Sequence, residues 1–125
     1  MKVHNAITCE DIRTEDNGKF ILIGVFQENI VVPTIPFTLG LAWWLQFYCN
    51  REGTISFEFE ARRNSHAVAT ATFDGNVLDH TKPVTTAIPR VPIKIESEGI
   101  ISLHIREKGT RWKKITEVVV RRREV

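Results

Sequence analysis

The chain reads LAWWLQFYCN at positions 41–50 and TISFEFEAR at positions 54–62, with Glu52-Gly53 between them. Both stretches alternate large apolar residues with polar or differently sized ones. Because successive side chains of a β-strand point to opposite faces of its sheet, this pattern predicts two strands joined by a turn, each burying one face. The predicted buried faces consist of Leu41, Trp43, Leu45, Phe47 and Cys49 on the first strand and Ile55, Phe57, Phe59 and Ala61 on the second.

Similar period-two segments, separated by turn residues, occupy most of the remaining chain, and no segment has the pattern of an amphipathic helix. This organisation is typical of an all-β protein. We expect one domain over 1–125, a two-sheet antiparallel β-sandwich that is immunoglobulin-like in a loose sense, with seven to eight strands. A small barrel is the alternative. The further predicted strands are Val3–Arg13, Lys19–Phe26, His66–Phe73, Ile93–Ile95, Ile100–Arg106 and Trp112–Val120.

Several local patterns give more specific expectations. Lys19–Phe26 is apolar at nearly every position, which predicts a central strand covered on both faces. Asp74-Gly75-Asn76 is predicted to be a turn. The prolines of Gln27–Pro36 and Val77–Pro92 exclude both segments from a sheet centre, so each is predicted to be a loop, a crossover or an edge. A β-bulge is expected between Ile115 and Val118, because their spacing of three breaks the alternation.

The overall charge and the cysteines restrict the setting of the protein. A formal net charge of +2 does not by itself imply a nucleic-acid or membrane partner. The first residues lack the apolar segment of a signal peptide, and no apolar run is long enough to span a membrane. We therefore expect a cytoplasmic protein, in which Cys9 and Cys49 are buried free thiols.

Residue patterns for catalysis are weak. The four histidines, His4, His66, His80 and His104, are scattered, and none has metal-ligand spacing on one strand. The adjacent carboxylates Glu10 and Asp11 point to opposite faces of a regular strand. We therefore expect no metal, no cofactor and no enzymatic activity.

Basic residues concentrate in the last predicted hairpin, Arg106–Arg123. Basic and aromatic side chains together can follow phosphates and stack on bases, so nucleic-acid binding is one hypothesis. The alternative is a charged edge strand that resists edge-to-edge aggregation. The candidate nucleic-acid contacts are Arg111, Trp112, Lys113, Lys114, Arg121, Arg122 and Arg123.

The second face of the 41–50 strand carries Trp44, Gln46 and Tyr48. Tryptophan and tyrosine are enriched where proteins bind one another, so this face is the candidate partner contact, with a homodimer as one form of it. The alternative is that the apolar segment Val31–Phe37 covers it. The favoured function is a non-enzymatic protein-binding or assembly module of a bacterial or phage cell, and nucleic-acid binding is the alternative.

The sequence also resembles a known family. It reads CEDIR at 9–13, NGK at 17–19 and LIGVF at 22–26. This order is similar to the CEDIR…NGK…LIGVY start of a family of small bacterial proteins, whose Gly-led final hairpin resembles Gly99–Val120. The function of that family is unknown, so the resemblance implies no activity, ligand or catalytic residue.

Overall fold

Nine strands in two sheets make up the fold, as seen in a computed structural model that describes residues 1–124. The four-stranded sheet has the order β2-β1-β4-β7, and the five-stranded sheet has the order β3-β9-β8-β5-β6. The expected all-β, two-sheet architecture is confirmed, with nine strands in place of seven to eight. The strands are β1 Lys2–Thr14, β2 Phe20–Phe26, β3 Asn29–Val32, β4 Phe37–Tyr48, β5 Gly53–Arg63, β6 His66–Val77, β7 Val84–Ile95, β8 Gly99–Glu107 and β9 Lys113–Arg122.

The core lies between the inner faces of the two sheets. All nine residues predicted to face inward from β4, its C-terminal extension and β5 are buried. Phe47 of β4 meets Phe57 of β5 edge to face, with ring centroids 5.0 Å apart. Edge-to-face contact is the favoured geometry for aromatic pairs, and burial of this apolar surface is the main force that holds the sheets together.

The predicted bulge in the last strand is confirmed. Leu103 of β8 is opposite Thr116, whereas the next residue, His104, is opposite Lys114, so Ile115 is the extra residue of β9. The bulge resets the alternation, and Val118 is therefore buried.

The prediction of a central position for Lys19–Phe26 is wrong. β2 is an edge strand of the four-stranded sheet and pairs only with β1. A strand with apolar residues on both faces has the pattern of a covered strand, but the pattern does not show which chain covers it.

The turn predicted at Asp74-Gly75-Asn76 is also wrong, because these residues continue β6 and pair with Thr54–Ser56 of β5. Gly75 is buried, and a Cβ placed on it would lie 3.1 Å from the Phe73 ring. Gly75 therefore provides space for the Phe73 ring and does not turn the chain.

The two proline-containing segments both contribute edge strands. Gln27–Pro36 contains β3, which pairs in parallel with β9, so the sandwich is not purely antiparallel. Val77–Pro92 contains most of β7, the other edge of the four-stranded sheet, with Pro89 and Pro92 inside it. Proline is tolerated there because an edge strand has backbone positions that donate to no neighbour.

One part of the four-stranded sheet extends away from the core. β1 pairs with β4 only over Lys2–Cys9, and its remaining residues pair with β2 alone. Residues 10–14 and 20–24 therefore form a two-stranded ribbon, which we call the β1–β2 arm. Its apolar residues Ile12, Phe20, Ile21, Leu22 and Ile23 are not among the residues packed in or against the hydrophobic core.

Replacement of Gly24 by alanine tests the local geometry of the arm. Gly24 has a φ of +65°, and a Cβ there would lie 2.6 Å from a Glu10 side-chain carbon. Gly18 has a φ of +83° with no atom within 4 Å of such a Cβ. We expect each Gly→Ala change to cost about 1–2 kcal/mol for the left-handed backbone, with similar losses at the two positions, because the exposed Glu10 side chain can rotate away from the new Cβ.

Urea unfolding measures both losses. Adding Glu10→Ala to Gly24→Ala is expected to change its loss little. A loss at Gly24→Ala that clearly exceeds the loss at Gly18→Ala and is relieved by Glu10→Ala would contradict this expectation and show that the Glu10 side chain cannot move away.

Candidate functional site

The three residues of the candidate partner contact lie in a row on the outer face of the four-stranded sheet. Trp44, Gln46 and Tyr48 alternate along β4 with buried residues, and each is partly exposed. The structure thus brings the predicted residues together. The segment 31–37, considered as a possible cover, instead places Ile35 and Phe37 against the core.

Trp44 is at the centre of an apolar cross-strand row. Its partners are Ile7 of β1 on one side and Ala87 of β7 on the other. Its indole Nε1 is buried and has no hydrogen-bond partner among residues 1–124. A change of the Trp44 rotamer therefore breaks no hydrogen bond of the ring.

The neighbouring polar side chains are held by contacts within the sheet. The Asn5 amide donates to Gln46 Oε1 at 2.9 Å, and Gln46 Nε2 donates to Thr85 Oγ1 at 3.2 Å. Tyr48 meets the His4 ring edge to face, with centroids 5.8 Å apart. These contacts across three strands hold the side chains of Gln46 and Tyr48 in fixed orientations.

The apolar surface continues from Trp44 towards the β2 edge. Cys9 and Ala42, opposite each other on β1 and β4, are fully buried although they face away from the core. Opposite Cys9 on the other side is Val25, which is 53% exposed. The outer face is therefore apolar in the row of Ile7, Trp44 and Ala87 and at Val25, whereas Cys9 and Ala42 add no exposed surface and the Arg90 side chain lies against Gly40 on the same face.

The two cysteines are free and buried, as expected. Burial raises the pKa of the Cys9 thiol, whose Sγ donates to the carbonyl oxygens of Asp11 and Ala42. Burial also raises the pKa of the Cys49 thiol. A raised pKa keeps both thiols protonated, so neither has the thiolate character of a reactive cysteine.

The outer face of the five-stranded sheet has a different character. Arg106 donates to Glu58 at 3.1 Å, and Arg62 donates to Glu60 at 2.8 Å. Both guanidinium groups lie over the Trp112 ring, at 4.2 Å for Arg106 and 5.6 Å for Arg62. The charged groups of this face are thus largely engaged with one another.

The candidate nucleic-acid residues form two groups at opposite ends of β9. Lys114 pairs with Glu117 at 3.0 Å, at the end where arginines cover the Trp112 ring. At roughly 3.3 Å per residue, Arg121 lies about 23 Å further along the strand. The remaining residues of the two groups are Arg111 and Lys113 near the start of β9, and Arg122 and Arg123 at its end.

The second group lies beside an open cleft. Arg121, Arg122 and Arg123 line this cleft together with Glu98 and Val31. The backbone N–H of Arg122 donates to Glu98 Oε2 at 3.1 Å. The cleft therefore has acidic as well as basic walls.

His104, one of the four scattered histidines, lies partly buried on the outer face of the five-stranded sheet. His104 Nε2 and Ser102 Oγ form a hydrogen bond of 2.9 Å. Burial lowers the pKa of His104, the Arg62 and Lys114 charges lower it further, and Glu60 opposes them. Alternation along β8 already places Ser102 and His104 on one face, but the neighbouring charges come from β5 and β9, so the local sequence does not indicate them.

Metal-ligating side chains do not cluster in the part of the chain that the structure describes: no group of three or more His, Cys, Asp or Glu residues has a suitable arrangement there. Within residues 1–124, there is also no helix long and apolar enough to cross a membrane.

Comparison with protein families matches residues 4–119 to a family of unknown function, DUF6941. The match covers most of the chain, so the protein belongs to this family, and the expectation of a family of unknown function is confirmed. A search of curated proteins found no match.

The lowered pKa of His104 predicts a pH dependence of stability. The unfolded chain binds a proton at His104 at higher pH than the folded chain does, so the free energy of unfolding should fall as pH drops through the unfolded value of about 6.5. We expect a smaller fall between pH 7 and pH 5 for His104→Gln than for the unchanged protein. Urea unfolding at each pH measures it.

The matched control is His66→Gln, at an exposed position on β6. It is expected to keep the pH dependence of the unchanged protein. The same slope in all three proteins would rule out the proposed linkage to His104.

Proposed function

We propose that this protein is a non-enzymatic interaction module that binds another protein through the outer face of its four-stranded sheet. The observation that carries the proposal is the contrast between the two outer faces. One face is apolar around Trp44, Ile7 and Ala87. The other face is charged, and its arginines are paired with carboxylates. Contiguous apolar surface on a folded domain is typical of binding sites.

The arrangement of the polar side chains on this face supports the proposal. Gln46 is held by Asn5 and Thr85, so its amide is already oriented before a partner binds. An oriented side chain loses little conformational entropy on association. Trp44 and Tyr48 supply the large amphipathic surfaces that dominate many protein interfaces.

The proposed setting is the cytoplasm of a bacterial or phage-infected cell. Both cysteines are free, which fits a reducing compartment.

Two substitutions on the face test the proposal. Gln46→Lys introduces a charge between Trp44 and Tyr48 on β4. Trp44→Ala removes the largest apolar side chain of this face. We expect both variants to lose proteins that the unchanged chain retains in affinity capture from its native cells, quantified by mass spectrometry. An expected loss of at least about tenfold corresponds to 1.4 kcal/mol of binding free energy.

The matched control is Thr72→Lys, which places the same charge at an exposed position of β6 on the other sheet. It is expected to retain the captured proteins. Thermal melts establish that each variant is folded. Equal capture by folded Gln46→Lys, folded Trp44→Ala and the control would disprove the role of this face.

Nucleic-acid binding is the second candidate function, and the cleft beside Arg121, Arg122 and Arg123 is the observation that favours it. Fluorescence anisotropy with a labelled single-stranded oligonucleotide tests it. A site that follows phosphates must lose affinity steeply between about 50 and 200 mM salt. Arg121→Ala with Arg123→Ala should reduce this dependence, whereas Lys19→Ala should not. Affinity that is independent of salt would exclude the candidate.

A further inference from the structure

The free edge of β2 lacks the features that protect the other sheet edges. Its seven residues contain no charge and no proline. The edge strand β7 carries Pro89, Arg90, Pro92 and Lys94, and β3 has only four residues, whereas β6 has one charge, Asp74, and polar residues at alternate positions from Thr70 to Asn76. Charges, prolines and shortness are the usual means of preventing strand pairing between molecules. Among the sheet edges, β2 therefore has the least protection by charge and proline, and the one departure from extended backbone in it is Gly24, with a φ of +65°.

Both faces of β2 are apolar and exposed. On its outer face, Ile21 is 43% exposed and Ile23 is 37% exposed, and on the opposite face Phe20 is 36% exposed. Burial of these three side chains against another strand or sheet would be favourable, because it removes their apolar surface from water.

The β1–β2 arm also lacks support from the core. A two-stranded ribbon is marginally stable in water, and it gains stability when a third strand is added to it. In the arm, β2 has β1 on one side and solvent on the other. A further strand on the free side would complete the arm.

We propose that this further strand is β2 of a second copy, so that two four-stranded sheets join into one across a two-fold axis at Ile23. The inference rests on the proposed function only in treating the same sheet as an interaction surface. In this arrangement a second copy of the chain binds the β2 edge, and the surface around Trp44 stays free to bind a different protein.

The sequence of β2 is complementary to its own reversal, as a two-fold contact requires. It reads FILIGVF, with phenylalanine at both ends and β-branched residues at 21, 23 and 25. Antiparallel pairing centred on Ile23 places Phe20 opposite Phe26, Ile21 opposite Val25 and Ile23 opposite itself. Aromatic pairs and β-branched pairs are the stabilising cross-strand combinations.

The charges at the two ends of β2 favour the same arrangement. Lys19 precedes the strand, and Gln27-Glu28 follows it. In the antiparallel pair, Lys19 of each copy lies opposite Gln27 of the other, and the Glu28 carboxylate follows one residue further along that chain. A parallel arrangement would instead bring like charges together.

Light scattering over a range of concentrations and at low and high salt measures the oligomeric state. We expect a dimer that persists at high salt, because the contact is apolar. Ile23→Cys should form an intermolecular disulfide under mild oxidation, since the two introduced thiols lie opposite each other at the axis. Leu78→Cys, at a loop position that is 85% exposed, is the matched control and should not form one efficiently.

A charge swap tests the register. Ile21→Lys and Val25→Glu, each alone, should weaken dimerisation by at least about tenfold, or 1.4 kcal/mol. Combined in one chain they should restore it, because each lysine then faces a glutamate of the other copy. Positions 21 and 25 are too far apart along one strand to pair within a copy.

Several outcomes would overturn the inference. These are a monomer at millimolar concentration, a dimer unaffected by Ile21→Lys, and disulfide formation equal in Ile23→Cys and Leu78→Cys. Failure here is distinguishable from failure of the proposed function, since Trp44→Ala and Gln46→Lys should leave the dimer intact.

Discussion

The packing of β4 against β5 across the sandwich is the constraint on which the rest of the structure depends. Both strands alternate large apolar and other residues, and the Phe47–Phe57 contact connects their inner faces. Because the alternation has a period of two, a shift of one residue in either strand would expose its whole apolar set. The same constraint places Trp44 on the outside: with Trp43 in the core, its neighbour must face the opposite way.

The sequence predicted the buried face of strands that alternate strictly. It did not predict the position of a strand within its sheet, because that position depends on the neighbouring strands. β5 shows its buried face in four alternating residues, and the bulge at Ile115 follows from a spacing of three. The edge position of β2 and the parallel pairing of β3 depend on strand order, which local patterns do not encode. Gly75 was misleading because glycine serves both in turns and beside bulky side chains.

The candidate surfaces divide in the same way. Trp44, Gln46 and Tyr48 share a face because they alternate on one strand, so their grouping was predictable. The basic residues were close in sequence, but the length of β9 separates them into two groups. The environment of Trp112 was not predictable, because Arg62 and Arg106 reach it from β5 and β8.

The distribution of charge and proline over the sheet edges bears on the proposed pairing of two copies. If β2 paired with β6 or β7 of another copy, each addition would leave a free β2 edge and the assembly would grow without limit. Asp74 in β6, with Pro89 and Pro92 in β7, oppose such contacts. Pairing between the β2 strands of two copies uses the same edge of each copy, so no free β2 edge remains. A uniformly apolar β2 is therefore compatible with the proposed closed dimer, in which each copy covers the β2 edge of the other.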